Sequence, residues 1–169
     1  MNAKKITAMG LLTALALIIH VIEAQIPPPA PVPGVKMGLA NIITVYALFR
    51  LSPKETFMVL MARIALGSIF AGSAMSALFS FAGGLACYLA MLLLRRIFTP
   101  DQIWICSVIG AVFHNIGQTA AALAVYRTPA LLIYLPVLML SGMLAGAFTG
   151  LAAQYVIKRA GKDGGSGLF

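Results

Sequence analysis

The chain has 169 residues, 61% of them hydrophobic and only 9% charged, with a mean hydropathy of +0.98. Soluble domains carry about a quarter charged residues, so this composition excludes a soluble globular domain and implies an integral membrane protein. The net charge of +8 does not require a nucleic-acid partner, because the basic residues cluster at the ends of apolar runs, where they meet anionic lipid.

Hydropathy predicts six spans, over residues 6–26, 37–50, 55–71, 75–94, 103–125 and 130–157. Most have the length of about 20 residues needed to cross a bilayer core. Residues 1–160 read as a single integral membrane domain, and the glycine-rich 161–169 as a flexible cytoplasmic tail. Met1 to Lys5 lead into the first run without a cleavage pattern, so the first helix is expected to be retained.

Span one carries Gly10 and Ala14, small residues four apart that let a partner helix approach, and His20 and Glu23 toward its far end. The connection from Pro27 to Lys36 then holds five of the nine prolines. Proline fixes φ and removes a donor, so this strap is stiff and extended. Pro29, Pro31 and Pro33, with Gly34 as the flexible point, are expected to form a lid, and Lys36 to face a ligand. Span two is short and opens near Asn41.

Span three places Arg63 in the middle of an apolar run. A guanidinium there costs a few kcal/mol or more and cannot escape by losing its proton. It is therefore either locked in an ion pair, with Glu23 as a candidate partner, or lines a polar site. Span four repeats small residues at Ala82, Ala86 and Ala90. Span five carries His114, Asn115 and Gln118, the first and last sharing a helical face. Tyr134 opens span six, where Gly142, Gly146 and Gly150 form a double GxxxG ridge for internal packing or for a partner subunit. Cys87 and Cys106 lack metal or redox spacing and read as small buried hydrophobes.

Nine of the twelve Lys and Arg residues fall on one side of these spans. The positive-inside rule then makes both termini cytoplasmic. The buried polar set of His20, Glu23, Asn41, Arg63, His114, Asn115 and Gln118 concentrates at or outside the midplane, which suggests a cavity open to the outside. Glu23, Lys36, Asn41, Arg63, His114, Asn115, Gln118 and Tyr134 are the expected substrate-binding residues. No phosphate-binding GxxxxGK[ST] loop, nucleophile elbow or HExxH motif is present, and four scattered acids make no diphosphate–magnesium site. The chain is read as a non-enzyme, with no metal and no cofactor.

The blocks Val32–Asn41, Arg63, Ser80–Gly84, Gly110–Gln118 and Leu140–Gly142 resemble the Gx transporter family. That family is also called heptaprenyl diphosphate synthase component I, and it is similar to the substrate-binding S components of energy-coupling factor (ECF) transporters. The resemblance runs over essentially the whole chain. It implies an all-α, six-transmembrane-helix bundle with both termini inside and an outward-open site under the first loop. It also implies a transmembrane T component and two cytoplasmic ATPases as partners, in the cytoplasmic membrane of a prokaryote. S components often dock the T component through an AxxxA pair on the first helix, an interval held here by Gly10 and Ala14.

The expected function is capture of a small anionic or polar-headed organic molecule, such as a vitamin, a cofactor precursor or an isoprenoid-related compound. The alternatives are a non-catalytic membrane subunit of a heptaprenyl diphosphate synthase, and a stand-alone proton-coupled carrier using Glu23 and His114.

Overall fold

A computed structural model describes residues 3–26 and 38–162. Among these the chain forms α1 (Ala3–Glu23), α2 (Asn41–Arg50), α3 (Pro53–Ala71), α4 (Ala74–Leu94), α5 (Ile103–Tyr126) and α6 (Leu135–Lys162). Short 3-10 turns at Pro100–Gln102 and Pro129–Tyr134 precede α5 and α6.

Four helical segments are long and apolar enough to cross a membrane: α1, α4, α5 with its leading turn, and α6 with its leading turn. The other two differ for separate reasons. With 10 residues, α2 rises only about 15 Å, half of a bilayer core. The 19 residues of α3 give adequate length, but Lys54, Glu55 and Arg63 interrupt its apolar character.

Local chemistry sets several boundaries that hydropathy misplaces. The start of α2 is at Asn41 rather than 37, because Gly38 adopts a φ of +83° and its carbonyl accepts from Asn41 N–H in a turn. Gly72, at φ +59°, closes α3 in the left-handed conformation favoured by glycine. The sixth span is split because Pro136 has no N–H to bond the carbonyl four residues earlier, and its ring crowds that carbonyl. The residues before it form the 3-10 turn, and α6 then runs on to Lys162, beyond the expected end at 157.

At the start of α3, Ser52 and Glu55 form a reciprocal capping box with Pro53 in the first turn, and Lys5 Nζ lies 3.1 Å from Glu55 Oε1. Backbone and hydroxyl donors of Ser52, then Lys5, lower the Glu55 carboxyl from its ordinary 4.5 to about 2. A depressed acid stabilises the fold above its unfolded value and loses that contribution as pH falls toward the folded one. Thermal stability in detergent is therefore expected to drop between pH 4.5 and 2, with Glu55→Gln flattening the dependence in that window.

These contacts also gather the basic residues. Arg50 donates to the Ile157 carbonyl, Arg95 to the Leu51 carbonyl, and Lys158 pairs with Asp101. Lys5, Arg50, Arg95 and Lys158 thus share one end of the bundle. The main apolar cluster, including Leu48, Leu60, Met91, Ile103 and Ala153, fills the half adjoining that end. Cys87 and Cys106 lie buried in it as free thiols.

Candidate functional site

The other half of the bundle holds a separate set of buried polar groups. Arg63 on α3 is 5% exposed, Asn41 on α2 6%, and His114 on α5 4%, so none is solvated from bulk water. Arg63 Nη2 donates to Asn41 Oδ1 at 3.4 Å. Because that oxygen accepts from an arginine, the Asn41 amide donates in turn, and it meets His114 Nδ1 at 3.3 Å. Both separations lie beyond the 2.7–3.2 Å typical of firm N–H hydrogen bonds. Arg63 Nε is buried with no hydrogen-bond partner among the described residues.

Glu23 does not close a direct ion pair with Arg63. The ion pairs among the described residues are Lys5–Glu55 and Lys158–Asp101. Glu23, 4% exposed, acts on the guanidinium through its field, while its Oε1 accepts the N–H of Gly38. The end of α1 is thereby tied to the last turn before α2. Of the expected site residues, Lys36 and the lid residues Pro29, Pro31, Pro33 and Gly34 lie outside the described residues.

Glycines make room for this cluster. A β-carbon on Gly38 would stand 2.8 Å from Asn41 Nδ2, and one on Gly83 of α4 would stand 2.9 Å from the His114 ring. On α3, Gly67 faces the His20 ring, which a β-carbon would approach to 3.2 Å. The two histidines are thus seated against glycine backbone on α3 and α4. Sequence reading missed Gly67 and Gly83 as site-shaping residues, although the Gly-Gly pair at 83–84 was a visible signal.

His20, Glu23, Gly38, Arg63, Ser80 and His114, with Ile64, line a cavity of about 20 Å³. That is room for roughly one water, far below the 300–1,000 Å³ of typical organic-ligand sites. In this conformation the polar groups have closed around a gap, and an organic ligand requires them to part.

Asn115 and Gln118 are equally buried but belong to a neighbouring network. Asn115 Nδ2 donates to the Leu138 carbonyl on α6, and Gln118 Nε2 donates to Asn115 Oδ1 at 2.7 Å. Tyr134 is half-buried and packs with Leu131 on Leu138, beside that network and off the lining of the Arg63 cavity.

Two of the small-residue ridges, on α1 and α6, face different ways. Gly142, Gly146 and Gly150 are occupied from within the chain, because β-carbons there would strike Asn115, Ala111 and the Trp104–Ser107 turn of α5. A β-carbon on Gly10 would meet nothing within 4 Å among the described residues, and both Gly10 and Ala14 are exposed.

The family model described as heptaprenyl diphosphate synthase component I matches residues 12–156, covering every described residue of the polar cluster. No curated protein and no solved structure matches the chain. A membrane protein by its apolar helices, the chain belongs to the heptaprenyl diphosphate synthase component I family, also known as the Gx transporter family.

Proposed function

We propose that this protein is the membrane-embedded substrate-binding subunit of an ECF-type importer, and that it captures a small anionic or polar-headed organic molecule at Arg63. The observation that carries the reading is a buried guanidinium that, among the described residues, has an unbonded Nε, one long hydrogen bond and no direct ion pair, on a cavity shared with His114 and Glu23. A structural arginine in an apolar interior is expected to have its donors satisfied. One that waits for a ligand is not.

The chemistry follows from the donors. A carboxylate or phosphate reaching Arg63 can accept from Nε and Nη together, the bidentate fork that a lysine cannot offer. Asn41 and His114 add directional polar contacts, and the field of Glu23 balances the guanidinium until an anion replaces it. Access depends on Gly38: releasing its N–H from Glu23 frees the root of the first loop and widens the cavity. The positive-inside assignment of the basic end to the cytoplasm puts this entry on the outer side. The exposed Gly10–Ala14 face is then available to a T component, with two ATPases beneath.

The family description favours a second reading, a non-catalytic membrane subunit that partners a heptaprenyl diphosphate synthase. Purification from native membranes with mass spectrometry of everything retained separates the two. An ATPase pair, a T component and a small molecule that is lost in His114→Ala support the importer. A soluble prenyl diphosphate synthase as the sole partner, with no small molecule, would remove it.

A further inference from the structure

A second cavity, far larger than the polar one, opens between α1, α2 and α6 near the basic end. It measures about 900 Å³ and is lined by Lys4, Leu11 and Leu15 of α1, Ile43 of α2, and Ala152 and Val156 of α6 among others. It exists because α1 packs on α3 and α2 and makes no close backbone approach to α6. Leu11, Leu15 and Val156 are 62%, 42% and 50% exposed, so the groove is open sideways along helices that cross the bilayer.

Two features identify its occupant. The first is shape. From Lys4 to Leu15 the groove runs about 16 Å along α1, close to the half-thickness of a hydrocarbon core of about 30 Å. Apart from Lys4, Thr7 and Tyr46 its lining is wholly aliphatic, a surface suited to acyl chains.

The second feature is charge. Lys4 lies at the groove's end, exposed and with no acidic partner among the described residues. The neighbouring Lys5 is engaged by Glu55, Arg50 by the Ile157 carbonyl, and Lys158 by Asp101. An apolar channel one leaflet deep that ends in an uncommitted ammonium matches a lipid with an anionic headgroup.

We infer that the α1–α2–α6 groove is a binding site for one anionic phospholipid, its chains lying in the groove and its phosphate at Lys4. This site is independent of the Arg63 cluster and does not require the transport reading.

Native mass spectrometry of the full chain, released from micelles containing equal phosphatidylglycerol and phosphatidylcholine with identical chains, tests it. One phosphatidylglycerol should be retained about fivefold over phosphatidylcholine, the preference expected of one basic residue at an anionic headgroup. Lys4→Gln should bring the ratio near one. Lys5→Gln, which removes an ammonium already paired with Glu55, should leave it unchanged. Ala152→Phe, which fills the half-buried groove wall, should abolish retention of both lipids. Equal retention by the wild type, or a preference that survives Lys4→Gln, would overturn the proposal. So would a wild type that retains no lipid, as when a partner helix or second copy fills the groove. Because Lys4 is exposed, its variant keeps the fold and the test stands even if Ala152→Phe fails to express.

Discussion

Arg63→Met is expected to abolish retention of the co-purifying small molecule while the bundle stays folded, with a thermal midpoint equal to or above that of the wild type. Two magnitudes set this expectation. Removing one partner of a buried, hydrogen-bonded charge pair weakens binding by about 2–5 kcal/mol, or about 30-fold to several thousand-fold. A buried ion carries a desolvation penalty of several kcal/mol, and an apolar side chain of similar volume removes the part that its partners leave unrepaid. Among the described residues Arg63 is poorly compensated, with Nε unbonded and one hydrogen bond at 3.4 Å. A purely structural arginine would behave in the opposite way, losing stability and leaving the ligand in place. Arg63→Lys keeps the charge and removes the fork, so partial retention is expected there. Thermal unfolding in detergent, alongside quantification of the retained molecule, reads both effects. Destabilisation with full retention would move Arg63 from ligand binding to scaffolding.

The core of this site was legible because polar residues are so scarce in the chain. Glu23, Asn41, Arg63 and His114 come from α1, α2, α3 and α5 and meet at one cavity or in hydrogen bonds beside it. Each stood out as a polar group in an apolar run, where an unpartnered position is expensive. Hydropathy could not show which neighbours share a face. Asn115 follows His114 by one residue, a rotation of about 100° on a helix, and that turn aims it at Leu138 of α6 instead of at Asn41. Gln118 bonds to Asn115 three residues back and joins the same network. Nor could composition separate Gly142, Gly146 and Gly150 from Gly10 and Ala14. Both sets satisfy the small-residue spacing, and only the fold shows which is already covered. The starts of α2 and α6 were missed for a related reason. A positive φ at Gly38 and the absent N–H of Pro136 act on the backbone and leave no mark on hydropathy.

Those two ridges give the second large expected effect. In Gly150→Val the new β-carbon would fall 2.6 Å from Ser107 Cβ and 2.7 Å from Trp104 Cα on α5. A Cα cannot swing aside as a side-chain tip can, so α6 must lift away from α5 along its length. In lipid there is little hydrophobic gain to hold two helices together, and close packing supplies most of their affinity. Overpacking of this kind costs about 1–3 kcal/mol, and β-branching beside a backbone contact sets the upper end as the expectation. A lowered thermal midpoint in detergent should accompany loss of the Asn115–Leu138 hydrogen bond, since that bond crosses the same interface. Gly10→Val is the counterpart. Its β-carbon meets nothing, and a glycine leaves an exposed helix face, so stability should hold or rise slightly. If α1 docks a partner subunit, however, Gly10→Val should lose that partner from the purified complex while the chain itself remains intact. Equal destabilisation by the two variants would mean that the α1 face is covered within the chain. Equal tolerance would mean that α5 and α6 are not held by the glycine ridge, and the division between an internal and an external ridge would fail.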